Sequence, residues 1–101
     1  MTIWKTNPDL ASLSALQIGT MAGHLGIEIT GVTHDSLTAR MPVDHRTLQP
    51  HERLHGGASV ALAETVGSIA ANMVLDSKEH IGVGLEINAN HVRPVKEGFV
   101  F

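Results

Sequence analysis

Leu54-His-Gly-Gly-Ala-Ser-Val-Ala-Leu-Ala-Glu-Thr-Val-Gly-Ser-Ile-Ala-Ala-Asn-Met-Val-Leu75 is the stretch on which the fold turns. It holds no Lys, Arg or Asp and one carboxylate, Glu64; most of the rest is helix former or small apolar filler. At helical spacing Ala58, Leu62, Thr65, Val66, Ile69 and Met73 fill one arc. Val60, Ala71 and Leu75 are apolar on the other side, so the helix is hydrophobic almost all round. Such a helix is expected to be buried in a core. A carboxylate in its middle then costs free energy unless something pairs with it or uses it.

The rest of the composition is that of a single globular domain, residues 1–101. Hydrophobic residues make up 43% and charged residues 17%, which argues against disorder. With one Trp and two Phe, the core has to be built mostly from Ala, Val, Ile and Leu. A net charge of −3 gives no support for nucleic-acid binding, and no cysteine is present for a disulfide or a zinc-thiolate site. Met1 to Pro8 lacks the apolar core of a signal peptide, and no run reaches the roughly 18 apolar residues of a membrane span. The expectation is a soluble, cytoplasmic protein with no membrane or nucleic-acid partner.

Residues 1–8 read as a short strand or extended arm anchored by Ile3 and Trp4. Asp9 is placed to cap a short helix over Leu10 to Leu16, with Leu10, Leu13 and Leu16 at helical spacing. Gly19, Gly23 and Gly26 make the following section loop-like. Leu25, Ile27 and Ile29, and then Leu37, Ala39, Met41 and Val43, alternate with polar residues on either side of His34-Asp35, the pattern of an antiparallel hairpin. Pro42 near its end tolerates a missing N–H. Asp44 to Pro50 is a polar connection, the long helix follows, and Asp76 to His80 is a solvated turn. Gly82 to Val92 alternates again, with Val83, Leu85, Ile87, Ala89 and finally His91 on one face. After a turn at Pro94 to Gly98, Phe99-Val-Phe101 reads as a strand that has only begun. The class is α+β, antiparallel strands carrying one long helix.

Glu64, Ser68 and Asn72 follow one another at i, i+4 and i+8, a narrow polar strip on an apolar cylinder. Just ahead sits His55-Gly56-Gly57. Glycines at a helix start let a ligand approach the backbone, and the first N–H groups there have no internal partner. That end stabilises an oxyanion, aided by the helix dipole. An acyl group held there by its carbonyl oxygen is expected to lie within reach of Glu64. On the residues alone, a buried ion pair explains Glu64 equally well. A hydroxyl bonded back to the preceding turn explains Ser68 better than catalysis does, and two glycines more often mark a turn.

His51-Glu52-Arg53-Leu54-His55 also matches H-E-x-x-H, the helical zinc motif of metallopeptidases. Its context is poor: Pro50 precedes it, Gly56-Gly57 follows at once, and Ala58 and Ala61 stand where an extended motif has Gly and a third His. Glu79 is the remaining candidate third ligand. Zinc hydrolysis stays as an alternative. His24, His34, His45 and His80 fall in loops or turns and are most simply solvated, whereas His91 sits at the end of an apolar strand face.

Three segments, Met41-Pro-Val-Asp-His-Arg-Thr-Leu-Gln-Pro50, Leu54 to Ala70 and Val83-Gly-Leu-Glu-Ile-Asn-Ala-Asn-His-Val-Arg-Pro94, resemble hotdog-fold acyl-CoA thioesterases. The likeness is to the 1,4-dihydroxy-2-naphthoyl-CoA thioesterases of menaquinone synthesis, allied to one type of 4-hydroxybenzoyl-CoA thioesterase. It runs from about Trp4 to Gly98. The resemblance implies a sheet wrapped around the long helix, homodimers that assemble as homotetramers, and active sites at the dimer interface. It implies that Glu64 acts as nucleophile or general base and that the Gly56 N–H polarises the thioester carbonyl. Gln49 and His55 then surround the acyl and thioester groups, and Ser68 orients water or the leaving group. Gly84, His91, Val92, Arg93 and Pro94 contact substrate or its CoA moiety. Arg93 also offers, on its own chemistry, a fixed charge for a phosphate. No metal and no cofactor are implied, coenzyme A entering only as part of the substrate.

The chain departs from that pattern twice. His51-Glu52 replaces an apolar residue and Gly, so the H-E-x-x-H match arises where the family has no such motif. Family members also continue past Phe101 with further strands, which leads to the expectation of a sheet missing its C-terminal strands. That gap keeps open a third reading, a non-catalytic acyl-CoA-binding module.

Overall fold

The hairpin forms where the alternation places it. In the computed structural model, which describes residues 1–6 and 9–101, β1 (Glu28–Val32) pairs antiparallel with β2 (Leu37–Pro42). The register is Glu28↔Arg40, Ile29↔Ala39, Gly31↔Thr38 and Val32↔Leu37, with an irregularity between Ile29 and Gly31. The turn is closed by Thr33, whose Oγ1 accepts from the N–H groups of Asp35 (3.3 Å) and Ser36 (3.0 Å). β3 (Phe99–Val100) pairs on the other side of β2, Met41↔Val100 and Pro42↔Phe99, so the sheet order is β1-β2-β3. Val43 N–H resumes the ladder beyond Pro42 by donating to Gly98 O at 2.8 Å.

One long helix, α3 (Gly56–Met73), lies on this sheet. Ala58, Leu62 and Met73 are buried with Ile27, Ile29, Ala39 and the fully buried Met41, while Val66 and Ile69 pack against them. That is the arc read from the sequence. The burial expected on the other side is only partial: Ala71 is exposed, Val60 and Leu75 are half-buried, and Ala63, Glu64 and Gly67 between them are exposed. A three-stranded sheet covers one side of a helix, and no second layer among the described residues covers the other.

Smaller elements close the ends. α1 (Leu10–Ala15) starts where Asp9 accepts from Ser12 N–H at 2.8 Å, and of its leucines only Leu13 is buried. The section expected to be a glycine loop contains a further helical turn, α2 (Met21–His24), capped by Thr20. Gly19 and Gly26, at φ of 76° and 78°, bracket that turn, whereas Gly23 sits inside it. The N-terminal arm stitches the hairpin to α3: Ile3 N–H donates to His34 O (2.9 Å), Lys5 N–H to Met73 O (2.8 Å) and the buried Trp4 indole to Thr33 O (2.7 Å). Asn7 and Pro8, the end of the expected arm, lie outside the described residues.

Gly82 to Val92 does not form the expected strand. Among the described residues it pairs with no strand, and Val83 and Leu85 stand in solvent at 80% and 101% exposure. It runs as a strap along the exposed side of α3. Alternation marks two faces, but a strand also needs a neighbour's N–H and C=O groups. An apolar groove of ≈ 370 Å³ lies between α3, at Leu62, Ala63, Val66 and Gly67, and the sheet at Ala39 and Val100. No helix among the described residues is long and apolar enough to cross a membrane.

Candidate active site

The N-terminus of α3 is positioned by the loop before it. Asp44 accepts from Arg46 Nη2 (2.7 Å), Nε (3.1 Å) and backbone N–H (2.9 Å). The hydrogen-bonded Arg46 guanidinium pulls the Asp44 carboxyl down to about 2. Within that turn Thr47, only 1% exposed, donates its hydroxyl to Pro42 O at 2.8 Å. Thr47 O then accepts His55 N–H at 2.7 Å, and Leu54 N–H donates to Val95 O at 2.8 Å. Held from both sides, the chain enters the helix at His55, whose Nδ1 accepts Gly57 N–H at 2.8 Å. His55 is thus the helix cap. Of the two glycine N–H groups at this end, Gly57's is used; Gly56's has no acceptor among the described residues.

Against Gly56 rests the His91 imidazole, so close that a Cβ on Gly56 would meet Nε2 at 2.6 Å. Only glycine lets these two residues approach. His91 is therefore not the end of a buried face; it is exposed. A groove of ≈ 400 Å³ opens here, lined by Gln49, Gly56, His91, Val92, Arg93 and Pro94. Arg53 and Ser59 line it too, two residues that no motif or periodicity assigns to this site. Arg53 Nη1 donates to His51 O (3.3 Å) and Glu52 O (3.2 Å), and Gln49 Oε1 accepts His51 N–H, so both side chains brace the preceding turn.

Two turns along α3, Glu64 is exposed and lines a second groove, of ≈ 240 Å³, with Ser68, Gly84, Glu86 and Ile87. The Glu64 carboxylate lies against Gly84, and a Cβ there would overlap it. Glu86, a second carboxylate in this groove, carried no signal beyond its place on the strap's polar face. Asn72 completes the polar strip by gripping the strap: Nδ2 donates to Gly82 O and Ser68 O, both at 2.8 Å, and Oδ1 accepts Gly82 N–H at 2.7 Å. On the far side of Ser68 and Asn72 an apolar cavity of ≈ 350 Å³ lies between α1 and α3, lined by Leu13, Leu16, Ile69 and Met73.

The single chain therefore does not bring Gly56 and Glu64 to one groove, contrary to the sequence-based expectation. Eight residues at 1.5 Å rise place their backbones about 12 Å apart along the axis. An acyl carbon whose oxygen sits about 3 Å from an N–H, with a nucleophile about 3 Å away, spans roughly 7 Å in all. Because the Glu64 side chain turns to Gly84, it does not close that distance.

The H-E-x-x-H stretch is not helical. His51 to Arg53 form a turn in which Glu52 takes φ 60°, and His55 Nδ1 is engaged by Gly57 N–H. The two histidines thus lack the shared helix face on which the zinc motif depends. No group of three or more metal-binding side chains occurs among the described residues. His24, His34, His45 and His80 are all exposed, His24 as the last residue of α2 rather than in a loop.

Comparison with known proteins gives a family match and close relatives. Residues 51–101 match the model of the thioesterase superfamily. The chain is 50% identical over 98 residues to the 1,4-dihydroxy-2-naphthoyl-CoA hydrolase of Escherichia coli (strain K12), covering 97% of this chain and 71% of that protein. It is equally 50% identical to the proofreading thioesterase EntH of Cronobacter turicensis, with the same coverage. In structure it is similar to a mutant of the thioesterase PA1618 from Pseudomonas aeruginosa, with a TM-score of 0.94 and 46% identity. That match covers 97% of this chain and 70% of the other.

Proposed function

This chain belongs to the thioesterase superfamily, and on that premise we propose that it hydrolyses an acyl-CoA thioester with Glu64 as its catalytic carboxylate. The observation that carries the reading is the exposed Glu64 carboxylate seated on Gly84 in a groove, on a helix whose first free N–H belongs to Gly56. The name of one relative favours an aromatic acyl group, of the 1,4-dihydroxy-2-naphthoyl kind. The apolar cavity beyond Ser68 offers room for an acyl group, its ≈ 350 Å³ falling in the lower part of the range of small-molecule pockets.

In the reaction, oxygen bonds to the thioester carbonyl carbon, the C–S bond breaks, and the CoA sulfur leaves and is protonated. Glu64 either takes the proton from the attacking water or attacks first, forming an anhydride that water then cleaves. The developing oxyanion accepts the Gly56 N–H at the positive end of the α3 dipole. Because these groups lie about 12 Å apart in one chain, the reading pairs Glu64 of one copy with Gly56 of another, making the enzyme a homo-oligomer with shared sites. Arg53 and Arg93 line the Gly56 groove, and neither is in an ion pair among the described residues, which suits the phosphates of coenzyme A. Ser68 is available to orient water, and neither a metal nor a further cofactor is invoked.

The test is thiol release from aromatic and aliphatic acyl-CoAs by the parent chain, Glu64→Gln and Glu52→Ala. Loss of Glu64 lowers kcat by at least about 10²-fold, the scale of removing one oxyanion donor, while Glu52→Ala leaves the rate near parental. Parental hydrolysis by Glu64→Gln would overturn the mechanism. A zinc hydrolase gives the reverse ranking, and a non-catalytic binding module binds acyl-CoA without releasing thiol.

A further inference from the structure

Nothing among the described residues holds the Glu64 carboxylate by a hydrogen bond or an ion pair; its place is defined by contact with Gly84. The position of Gly84 depends on the strap, which lacks strand partners. Among the described residues, backbone hydrogen bonds hold the strap upstream of Gly84 and just beyond its downstream end. Downstream, Leu54 N–H donates to Val95 O at 2.8 Å. Upstream, two residues before Gly84, the Asn72 carboxamide makes a reciprocal pair with Gly82 at 2.8 and 2.7 Å. This pair engages both backbone groups of one residue, as a neighbouring strand would. The bond from Asn72 Nδ2 to Ser68 O, at 2.8 Å, fixes the carboxamide in the orientation that Gly82 requires. A hydroxyl has one donor and a carboxylate none, so neither can serve Ser68 O, Gly82 O and Gly82 N–H together.

We propose that Asn72 is a positioning residue for the thioesterase reaction: by gripping Gly82 it fixes the height of Gly84 over α3, and with it the seat of the Glu64 carboxylate. Asn72 makes no hydrogen bond to the Glu64 carboxylate and acts on it through Gly82 and Gly84. The proposal rests on the reading of Glu64 as the catalytic group.

The experiment uses the full chain and two variants, Asn72→Ala and Asn72→Asp, the latter keeping an acceptor for Gly82 N–H while losing both donors. Amide exchange at Gly82, the Gly84 amide shift with and without Glu64→Gln, and acyl-CoA hydrolysis are measured on each. In Asn72→Ala the Gly82 amide exchanges at least about tenfold faster, and the Gly84 amide no longer responds to Glu64→Gln. A displacement near 1 Å at a reacting group costs up to about 10²-fold, so kcat falls by about 10- to 100-fold while KM stays within about twofold. Asn72→Asp recovers part of both effects, and it carries the same comparison should Asn72→Ala fail to fold. Parental protection of Gly82 in Asn72→Ala overturns the tether. Lost protection with parental kcat overturns the positioning role. A parent chain that releases no thiol sinks the catalytic reading of Glu64, while the amide measurements still judge the tether.

Discussion

Replacing Gly84 by Ala probes the seat of the catalytic carboxylate with a single methyl group. A Cβ at this position overlaps the Glu64 carboxylate, so either the side chain or the strap has to yield by about 1 Å. Misplacing a reacting group by that much costs about 10²-fold in rate, or about 2.7 kcal/mol of transition-state stabilisation at 1.36 kcal/mol per tenfold. Stability moves the other way. Gly84 is exposed and is not among the glycines with positive φ, so alanine is compatible with its backbone. At such positions Gly→Ala stabilises by about 0.4–1 kcal/mol through the unfolded chain. Gly84→Ala therefore lowers kcat about a hundredfold with an unchanged or slightly raised melting temperature. Thiol release at saturating acyl-CoA, together with a thermal melt, reads both. Parental kcat in Gly84→Ala refutes the reasoning, and so does a fall in kcat matched by a fall in stability.

Arg53→Ala raises KM for an acyl-CoA by about tenfold, the loss of one charge-assisted contact to phosphate, and leaves KM for the matching N-acetylcysteamine thioester, which has no phosphates, unchanged. Equal effects on the two substrates would remove Arg53 from the CoA groove. Asp44 titrates at about 2 in the fold against an ordinary 3.8, because Arg46 donates to its ionised form. Its contribution to stability is thus complete above about pH 4 and lost as pH falls through about 2. Circular dichroism across that window shows the parent losing stability more steeply than Asp44→Asn, and coincident acid curves would contradict the assignment.

The sequence was most legible where local pattern and local chemistry agree. The alternation of Ile27, Ile29, Ala39, Met41 and Val43 places the hairpin, and the arc from Ala58 to Met73 identifies the buried side of α3. Glu64 stood out as the one charge on that helix, and the structure puts it in a groove with Ser68 and Gly84. Legibility fails where the outcome depends on what lies opposite. An apolar wheel does not say whether a second layer covers it, so the exposure of Ala63, Gly67 and Ala71 could not be read. The contact of His91 with Gly56 joins residues 35 apart and leaves no periodic trace. For His55, the type of residue pointed to chemistry, yet its Nδ1 serves the backbone as a cap.

The strap departs from its strand pattern for a reason that also explains its role. Gly84 and His91 are seven residues apart, so a regular strand would turn them to opposite faces. Both nevertheless contact α3, Gly84 at Glu64 and His91 at Gly56. One regular strand cannot satisfy both contacts, and the alternation has to slip between them. Distance sets a second condition. From Asn72 back to Gly56 the helix runs about 24 Å at 1.5 Å per residue, and nine extended steps from Gly82 to His91 reach about 30 Å at 3.3 Å each. The strap can cover the helix only if it stays nearly extended and antiparallel to it, with a small excess of length in which the slip is taken up. Glycine at 84 and at 56 makes this course possible, since a Cβ at either position would collide with the side chain facing it. The same segment thus shapes both grooves. Its fixed upstream point is the Asn72–Gly82 pair, which makes the placement of Glu64 a property of the strap as much as of the helix that carries it.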